Sequence, residues 1–334
     1  MILGIETSCD ETAAAVAGAD AAVLAEVVRS QVETHARFGG VVPELAGRRH
    51  IESIDEVVRE ALARAGVGVR DLGAVAVTGG PGLIGALLVG VSYGKALAYS
   101  LGIPLIPVNH LEGHLSAAWL GAARLAPPFV ALVASGGHTN LYHVKERGEP
   151  ALLGRTLDDA AGEAFDKAAK MLGLGYPGGP VIDRLAREGD PDKAPFPRPY
   201  PTCEDLNFSF SGIKTALLYH LRDREAAGRS WHVPDVAAGF QQAIVEVLVA
   251  KTLAAAGRAG VRDVVVTGGV AANSQLRALF EARGKDAGIT VHIPPLRYCT
   301  DNGAMIAAAG ARLLQDGRAA TLAFEPRADW AIGD

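Results

Sequence analysis

Cysteine is scarce in this chain. Its 334 residues hold three, Cys9, Cys203 and Cys299, with no C-x-x-C pair among them. That excludes a disulfide framework or a zinc ribbon and fits a reducing compartment, so a cytoplasmic location is expected. A basic surplus is also missing. The formal net charge is −5, so any nucleic-acid contact must rest on a local patch or on a partner. The opening MILGIETSCDET lacks the basic start of a signal peptide. No membrane span is expected either. The long uncharged run from Ala74, AVAVTGGPGLIGALLVGVSYG, is cut by Gly79-Gly80-Pro81-Gly82 into a short strand and a helix, and Lys95 follows. What is plentiful is apolar residue: 49% hydrophobic against 21% charged. This suits a well-packed core, and the length suits two domains.

The chain repeats itself. AVAVTGGPGLIGALLVG from Ala74 and DVVVTGGVAANSQLRALF from Asp263 each read as a β-branched run, Val-Thr-Gly-Gly, then a helix. LIPVNHLEGHLSAAWLGAA and VHIPPLRYCTDNGAMIAAAGA each read as a short strand, a polar turn and an Ala-rich helix. The openings match too: ILGIETSCDETAAAVAGA and, from Phe129, FVALVASGGHTNLYHVKE are both strand, turn, strand. Each half is therefore a hairpin with a third strand, followed by alternating helices and strands. The expected fold is a duplicated α/β protein with mixed sheets and a central cleft, with lobes at 1–126 and 127–334. The second lobe should carry a helical insertion at about 158–260. Its segment 235–257 has the helical spacing of a long core helix.

Chemistry belongs in the turns after strands. ETSCDET offers Ser8, Asp10, Glu11 and Thr12, and ASGGHT (134–139) offers close backbone approach to phosphate oxygens. TGGPG (78–82) and TGGVAAN (267–273) each open a helix, whose N-terminus favours anions. Glycine turns are usually structural. Such turns at matching places in a duplicated frame describe a nucleotide held between two lobes, as in the actin, Hsp70 and sugar-kinase superfamily. In NHLEGHLSAAW, residues 109–119, His110 and His114 stand four apart and share a helix face, so they can hold one metal ion. A zincin reads H-E-x-x-H, with the base beside the first histidine. Here Glu112 is two residues from each, turned by about 200°, and points away from the metal.

IETSCDETAAAV, ELAGRRHIE, TGGPGLIGALLVG, NHLEGH, SGGHTNL, DDAAGEAFDKAAKMLGLGYPGGP, FSFSGIKTA, GGVAANSQLR and CTDNGAMIA together resemble the bacterial tRNA N6-adenosine threonylcarbamoyltransferases, the TsaD family, formerly labelled O-sialoglycoprotein endopeptidase. The resemblance runs from Ile2 to Gly310. It implies an actin-like ATPase fold, one iron(II) per subunit (zinc or magnesium standing in within samples), and an adenylate or ATP-type nucleotide as substrate. The implied reaction moves the threonylcarbamoyl group from L-threonylcarbamoyl-adenylate to N6 of adenosine 37, in tRNAs reading codons that begin with A, and releases AMP. Implied partners are tRNA, an inactive paralogue (TsaB-type) in a heterodimer, a P-loop ATPase (TsaE-type) and a synthase supplying the adenylate.

Matched position by position, the resemblance implies His110, His114 and Asp301 as metal ligands. It implies Val133, Ala134, Ser135, Gly136, Gly137, Asp166, Gly179, Asp183 and Asn273 as substrate contacts. The repeat accounts for Asp301, since NHLEGH and CTDNGAM follow the last strand of each half. Archaeal and eukaryotic relatives have a tyrosine ligand where this chain has Val133, so three protein ligands are expected, with open positions. The family's usual Val-Ser-Gly-Gly is Ala134-Ser135-Gly136-Gly137 here, which leaves the backbone donors unchanged. Asp10 and Glu11 are candidates for removing the N6 proton. Arg48-Arg49-His50 and Lys214 are candidate contacts to tRNA phosphates. An actin-fold small-molecule kinase, a metalloprotease and a non-catalytic scaffold are the rival readings.

Overall fold

The structure, a computed structural model, describes residues 1–120, 125–145, 149–198 and 203–333. The chain begins with β1 (Ile2–Glu6), β2 (Glu11–Ala17), β3 (Val23–Ser30), α1 (Val32–Ala36) and α2 (Pro43–Ala65). It continues through β4 (Ala74–Gly80), α3 (Ile84–Leu101), β5 (Leu105–Asn109) and α4 (His110–Ser116). Next come β6 (Phe129–Ala134), β7 (Thr139–Val144), β8 (Pro150–Arg155) and four helices, α5 (Ala161–Met171), α6 (Gly178–Ala186), α7 (Ser211–Ala226) and α8 (Val233–Ala259). The last elements are β9 (Asp263–Thr267), α9 (Ser274–Ala287), β10 (Thr290–His292) and α10 (Gly303–Gln315).

The two sheets have one topology. The first runs β3-β2-β1-β4-β5 and the second β10-β9-β6-β7-β8. In each, the opening strand pairs antiparallel with the next strand and parallel with the strand after the first long helix: β1 with β2 and β4, β6 with β7 and β9. The duplication read from the sequence is thus present strand for strand. The opening strands are buried along their whole length, as central strands covered on both faces must be. The helices also follow their pattern. On α2, Ile54, Val57, Val58, Ala61 and Leu62 are buried at helical spacing, Pro43 starts the helix, and Gly66 at φ 69° ends it. The expected long core helix is α8, with both Val245 and Leu248 fully buried. The helical insertion is α5 to α8.

Two compact units result: Met1–Arg124 with Pro294–Asp334, and Leu125–Ile293. The first boundary lies close to the expected one. The expectation that 127–334 forms a single lobe fails, because Pro294–Asp334 packs with the first unit. The reason is steric. A Cβ on Gly4 of β1 would come 2.4 Å from Ala307 N, and one on Gly310 would come 2.4 Å from the Ala76 Cβ. Gly303 meets the Ala14 backbone at 2.6 Å. These glycines and alanines let α10 lie directly on β1, β2 and β4, where its apolar residues are buried.

Candidate functional site

In the first unit, α4 starts where β5 ends. The Asn109 side chain caps it by accepting from Leu111 N at 2.9 Å, and Asn109 Nδ2 donates to the Trp330 carbonyl at 3.0 Å. This fixes a helix of seven residues that carries both histidines. Asp301 stands just before α10. That helix is capped by Asn302, whose Oδ1 accepts from Met305 N, and by the Glu26 carboxylate from β3, which accepts from Ala304 N. Gly113 lets α4 approach α10, since a Cβ there would sit 2.8 Å from the Ile306 side chain. As a result His110 Nε2 lies 3.6 Å and His114 Nε2 3.2 Å from Asp301 Oδ1. The three residues offer ligand atoms within 4.8 Å of one another.

His114 is 0% exposed, and neither of its ring nitrogens has a hydrogen-bond partner among the described residues. A buried imidazole left so is costly unless something binds it. Two imidazoles and one carboxylate suit iron(II) or zinc. The residues present therefore fit a metal ion. His110 is pulled two ways: burial disfavours its charge, but Asp301 and Glu6 override this and raise its pKa to about 9. Binding a cation at Nε2 therefore displaces a proton. Behind the histidine, Glu6 is fully buried and accepts from Ser8 N at 2.5 Å and Thr78 Oγ1 at 2.6 Å. Its second oxygen faces His110 Nδ1 at 3.1 Å. Burial alone would push the Glu6 carboxyl up, but His110 and Thr78 bring it below its usual value. Glu6 was not singled out from the sequence. The signal was there: a carboxylate closing a strand, ILGIE, that is otherwise apolar.

Asp10 and Glu11 follow in the same turn. Gln31 N donates to the Asp10 carbonyl, and Ser30 Oγ donates to Glu11 Oε1 at 3.0 Å. Burial, then the neighbouring Asp10 and Asp301, push the Glu11 carboxyl well above its usual range. Such a carboxyl is a stronger base. Glu112, as expected, is not part of the ligand cluster. Burial raises its pKa, while the charges of Arg318 and Arg312 pull it back.

Two sequence expectations need correction. His50 is not a phosphate contact, because it is 0% exposed. Its Nδ1 meets Thr12 Oγ1 at 2.8 Å and its Nε2 meets the Cys9 carbonyl at 3.0 Å. Arg48 and Arg49 stay exposed, and Arg49 pairs with Glu52. Nor is the TGGPG turn an open anion site. The rings of Phe324 and Trp330 lie over Gly79, and the Arg327 carbonyl lies over Gly80.

The second unit gathers the substrate-loop residues into one connected run. Val133 and Ala134 end β6 and are buried. Ser135 N donates to the His138 carbonyl and Ser135 Oγ accepts from His138 N, which forms the turn. Gly136 and Gly137 are exposed, and a Cβ on either would meet nothing within 4 Å. The turn is gripped from below: Gly162 N donates to the Ser135 carbonyl at 3.1 Å, and a Cβ on Gly162 would lie 2.6 Å from that oxygen. Gly268, at φ 89°, closes on the Ala134 carbonyl in the same way. From α5, Asp166 accepts from Gly178 N at 2.7 Å and sets the start of α6, beside Gly179. From α6, Asp183 accepts from Ser274 N and Oγ and pairs with Arg187. Asn273 caps α9 through Leu276 N and donates to the buried Gln241 at 2.6 Å. The second helix N-terminus expected to take an anion is thus met by the chain's own Asp183. Lys214 pairs with Asp159 at 3.5 Å.

Comparison with known proteins fixes the family. The family model described as "tRNA N6-adenosine threonylcarbamoyltransferase" (TsaD) matches residues 22–308. The chain belongs to this family. Proteins of that name from Anaeromyxobacter dehalogenans (55% identical over 320 residues, 96% of each chain) and Clostridioides difficile (53% over 308 residues, 92% of this chain and 91% of that one) are similar along almost their whole length. So is one from Syntrophus aciditrophicus, 51% identical over 332 residues, 99% of this chain and 98% of that one. Among solved structures, the nucleotide-bound HypF is similar with TM-score 0.60 and 14% identity, over 95% of this chain and 47% of that one. The Clostridium difficile activator of 2-hydroxyisocaproyl-CoA dehydratase has TM-score 0.54 and 15% identity, over 95% and 96%. These likenesses concern the fold, which is the actin-like ATPase fold. The enzyme is a transferase acting in tRNA modification.

Proposed function

We propose that the enzyme takes the threonylcarbamoyl group from L-threonylcarbamoyl-adenylate and passes it to N6 of adenosine 37, in tRNAs reading codons that begin with A, with AMP as the other product. The observation that most favours a metal-assisted transfer is the convergence of His110, Asp301 and a His114 whose ring nitrogens have no hydrogen-bond partner among the described residues. His110, His114 and Asp301 would hold one ion, iron(II) by preference, with zinc able to occupy the same ligands. When bound, such an ion supplies Lewis acidity and a template for substrate oxygens.

The rest falls to the chain. Gly136 and Gly137 leave room for a phosphate to approach backbone N–H groups, and Gly162 and Gly268 keep that turn in place. Asp166, Gly179, Asp183 and Asn273 would set the adenosine end of the donor. N6 attacks the carbamoyl carbon, the bond from that carbon to the phosphate oxygen breaks, and the N6 proton passes to a carboxylate. Asp10 and Glu11, in the turn after β1, are the candidates for that step. The negative net charge gives weak grip on a polyanion, which favours work alongside other chains in the cytoplasm. Those chains are a TsaB-type paralogue, a TsaE-type P-loop ATPase and the synthase that makes the adenylate. Exposed Ile51, Ile84 and Leu88 on α2 and α3 favour pairing with the paralogue.

The test supplies synthetic L-threonylcarbamoyl-adenylate and unmodified tRNA to the protein with its paralogue, then measures AMP and modified nucleoside. Equal release of both, lost when guanosine replaces adenosine 37, is expected. AMP without modified nucleoside, or modification unaffected by that replacement, would contradict the proposal.

A further inference from the structure

We propose that Glu6 is a positioning residue that sets the tautomer of metal-bound His110, holding the Nδ1 proton so that Nε2 is the nitrogen left to ligate an ion shared with Asp301. The proposal rests on the metal reading above. Two donors and a ring nitrogen converge on this fully buried carboxylate: Ser8 N at 2.5 Å, Thr78 Oγ1 at 2.6 Å and His110 Nδ1 at 3.1 Å. Ser8 Oγ, 3.2 Å from the same ring nitrogen, can donate or accept and so leaves the tautomer undecided. The ionised carboxylate only accepts. It forces Nδ1 to carry the proton and Nε2 to be the ligand, the carboxylate–histidine–metal arrangement.

The isosteric change Glu6→Gln makes this testable. The new amide must put its NH2 group at one of two places. At Oε1 it meets the Ser8 N–H, a backbone donor that cannot reverse. At Oε2 it meets Thr78, whose hydroxyl can turn to accept, and His110 Nδ1, which must then give up its proton. The second arrangement puts the proton on Nε2, where the ligand lone pair was. Before metal binds, Glu6→Gln therefore favours the wrong tautomer of His110. Thr78→Val removes a different donor from the same carboxylate without touching the tautomer.

The experiment measures zinc affinity by chelator competition for the wild type, Glu6→Gln, Thr78→Val and His110→Ala. It also records the His110 Nδ1 proton in the zinc-loaded proteins by NMR. Affinity is expected to fall about 10–100-fold in Glu6→Gln, the usual effect of losing such a partner, and clearly less in Thr78→Val. In the zinc-loaded wild type, an Nδ1 proton protected from exchange and at the low-field end of the imidazole range is expected. In zinc-loaded Glu6→Gln, where ligation through Nε2 keeps the proton on Nδ1 but no carboxylate holds it, both the protection and the low-field shift should be lost. Equal affinity losses in Glu6→Gln and Thr78→Val would reduce Glu6 to a structural tie and overturn the proposal. So would unchanged affinity, or a wild-type His110 without that proton should Glu6→Gln fail to fold. Zinc retained by His110→Ala overturns the metal site itself. Zinc lost there but kept in Glu6→Gln overturns only the role of Glu6.

Discussion

Asn109 joins three parts of the first unit, so its replacement is informative. Its Oδ1 caps α4 at Leu111 N (2.9 Å) and its Nδ2 holds the Trp330 carbonyl (3.0 Å). Asn109→Ala removes both. Loss of the cap costs about 1 kcal/mol, and loss of a neutral hydrogen bond costs about 1 kcal/mol more. The total of about 2 kcal/mol lowers the melting temperature by about 4–8 °C for a unit of this size. Asn109→Asp keeps the capping oxygen beside the helix N-terminus and loses only the Trp330 bond. It should lose about 1 kcal/mol, or about 2–4 °C. Because α4 is only seven residues long, fraying at its first residue displaces His110, so metal affinity should fall in the alanine variant and fall less in the aspartate variant. Thermal melts and zinc titrations of both proteins check this. An aspartate variant as damaged as the alanine one would refute the capping argument.

The two glycines of the second unit should part company. Gly162→Ala pushes a Cβ to 2.6 Å from the Ser135 carbonyl and should cost about 1–3 kcal/mol of stability as overpacking. Gly137→Val has open space and should melt like the wild type while losing adenylate affinity by calorimetry. Glu112→Gln should keep a full complement of metal by elemental analysis, unlike the equivalent change in a zincin. The buried His50 should make the fold acid-sensitive. Burial lowers its pKa from 6.5, and that of His35 likewise. Below pH 6.5 the unfolded chain therefore takes up a proton that the folded one refuses. The stability is present above about pH 6.5 and is lost as pH falls from there toward the lower folded value, so urea unfolding from pH 7.5 down to pH 5 should show a steeper loss for the wild type than for His50→Gln.

The repeat was legible because turn glycines and strand periods survive in both halves, and the sheets copy them strand for strand. The home of α10 was not legible, since periodicity shows which face of a helix is apolar but not which sheet it meets. The clue was the small residues Gly4, Ala14, Ala76 and Gly310 on facing elements. Arg48-Arg49-His50 was misread as one basic cluster. Successive helix residues differ by about 100°, so two side chains reach solvent while the third enters the core. Asn273 was read as a ligand contact, yet Asn before Ser-Gln-Leu is also a helix cap, and the structure uses it as one. The spacing of His110 and His114 showed that they could share an ion; the buried Glu6 behind them was missed, because its signal is one carboxylate closing an apolar strand and not a periodic pattern.

The account depends most on the claim that His110, His114 and Asp301 hold one metal ion. The direct measurement is the metal content of the His110→Ala protein after anaerobic loading with iron(II) and removal of unbound ion, beside the wild type. One ion per chain in the wild type and none held by a variant with an unchanged circular dichroism spectrum is the predicted result. A full complement of iron in His110→Ala would contradict it.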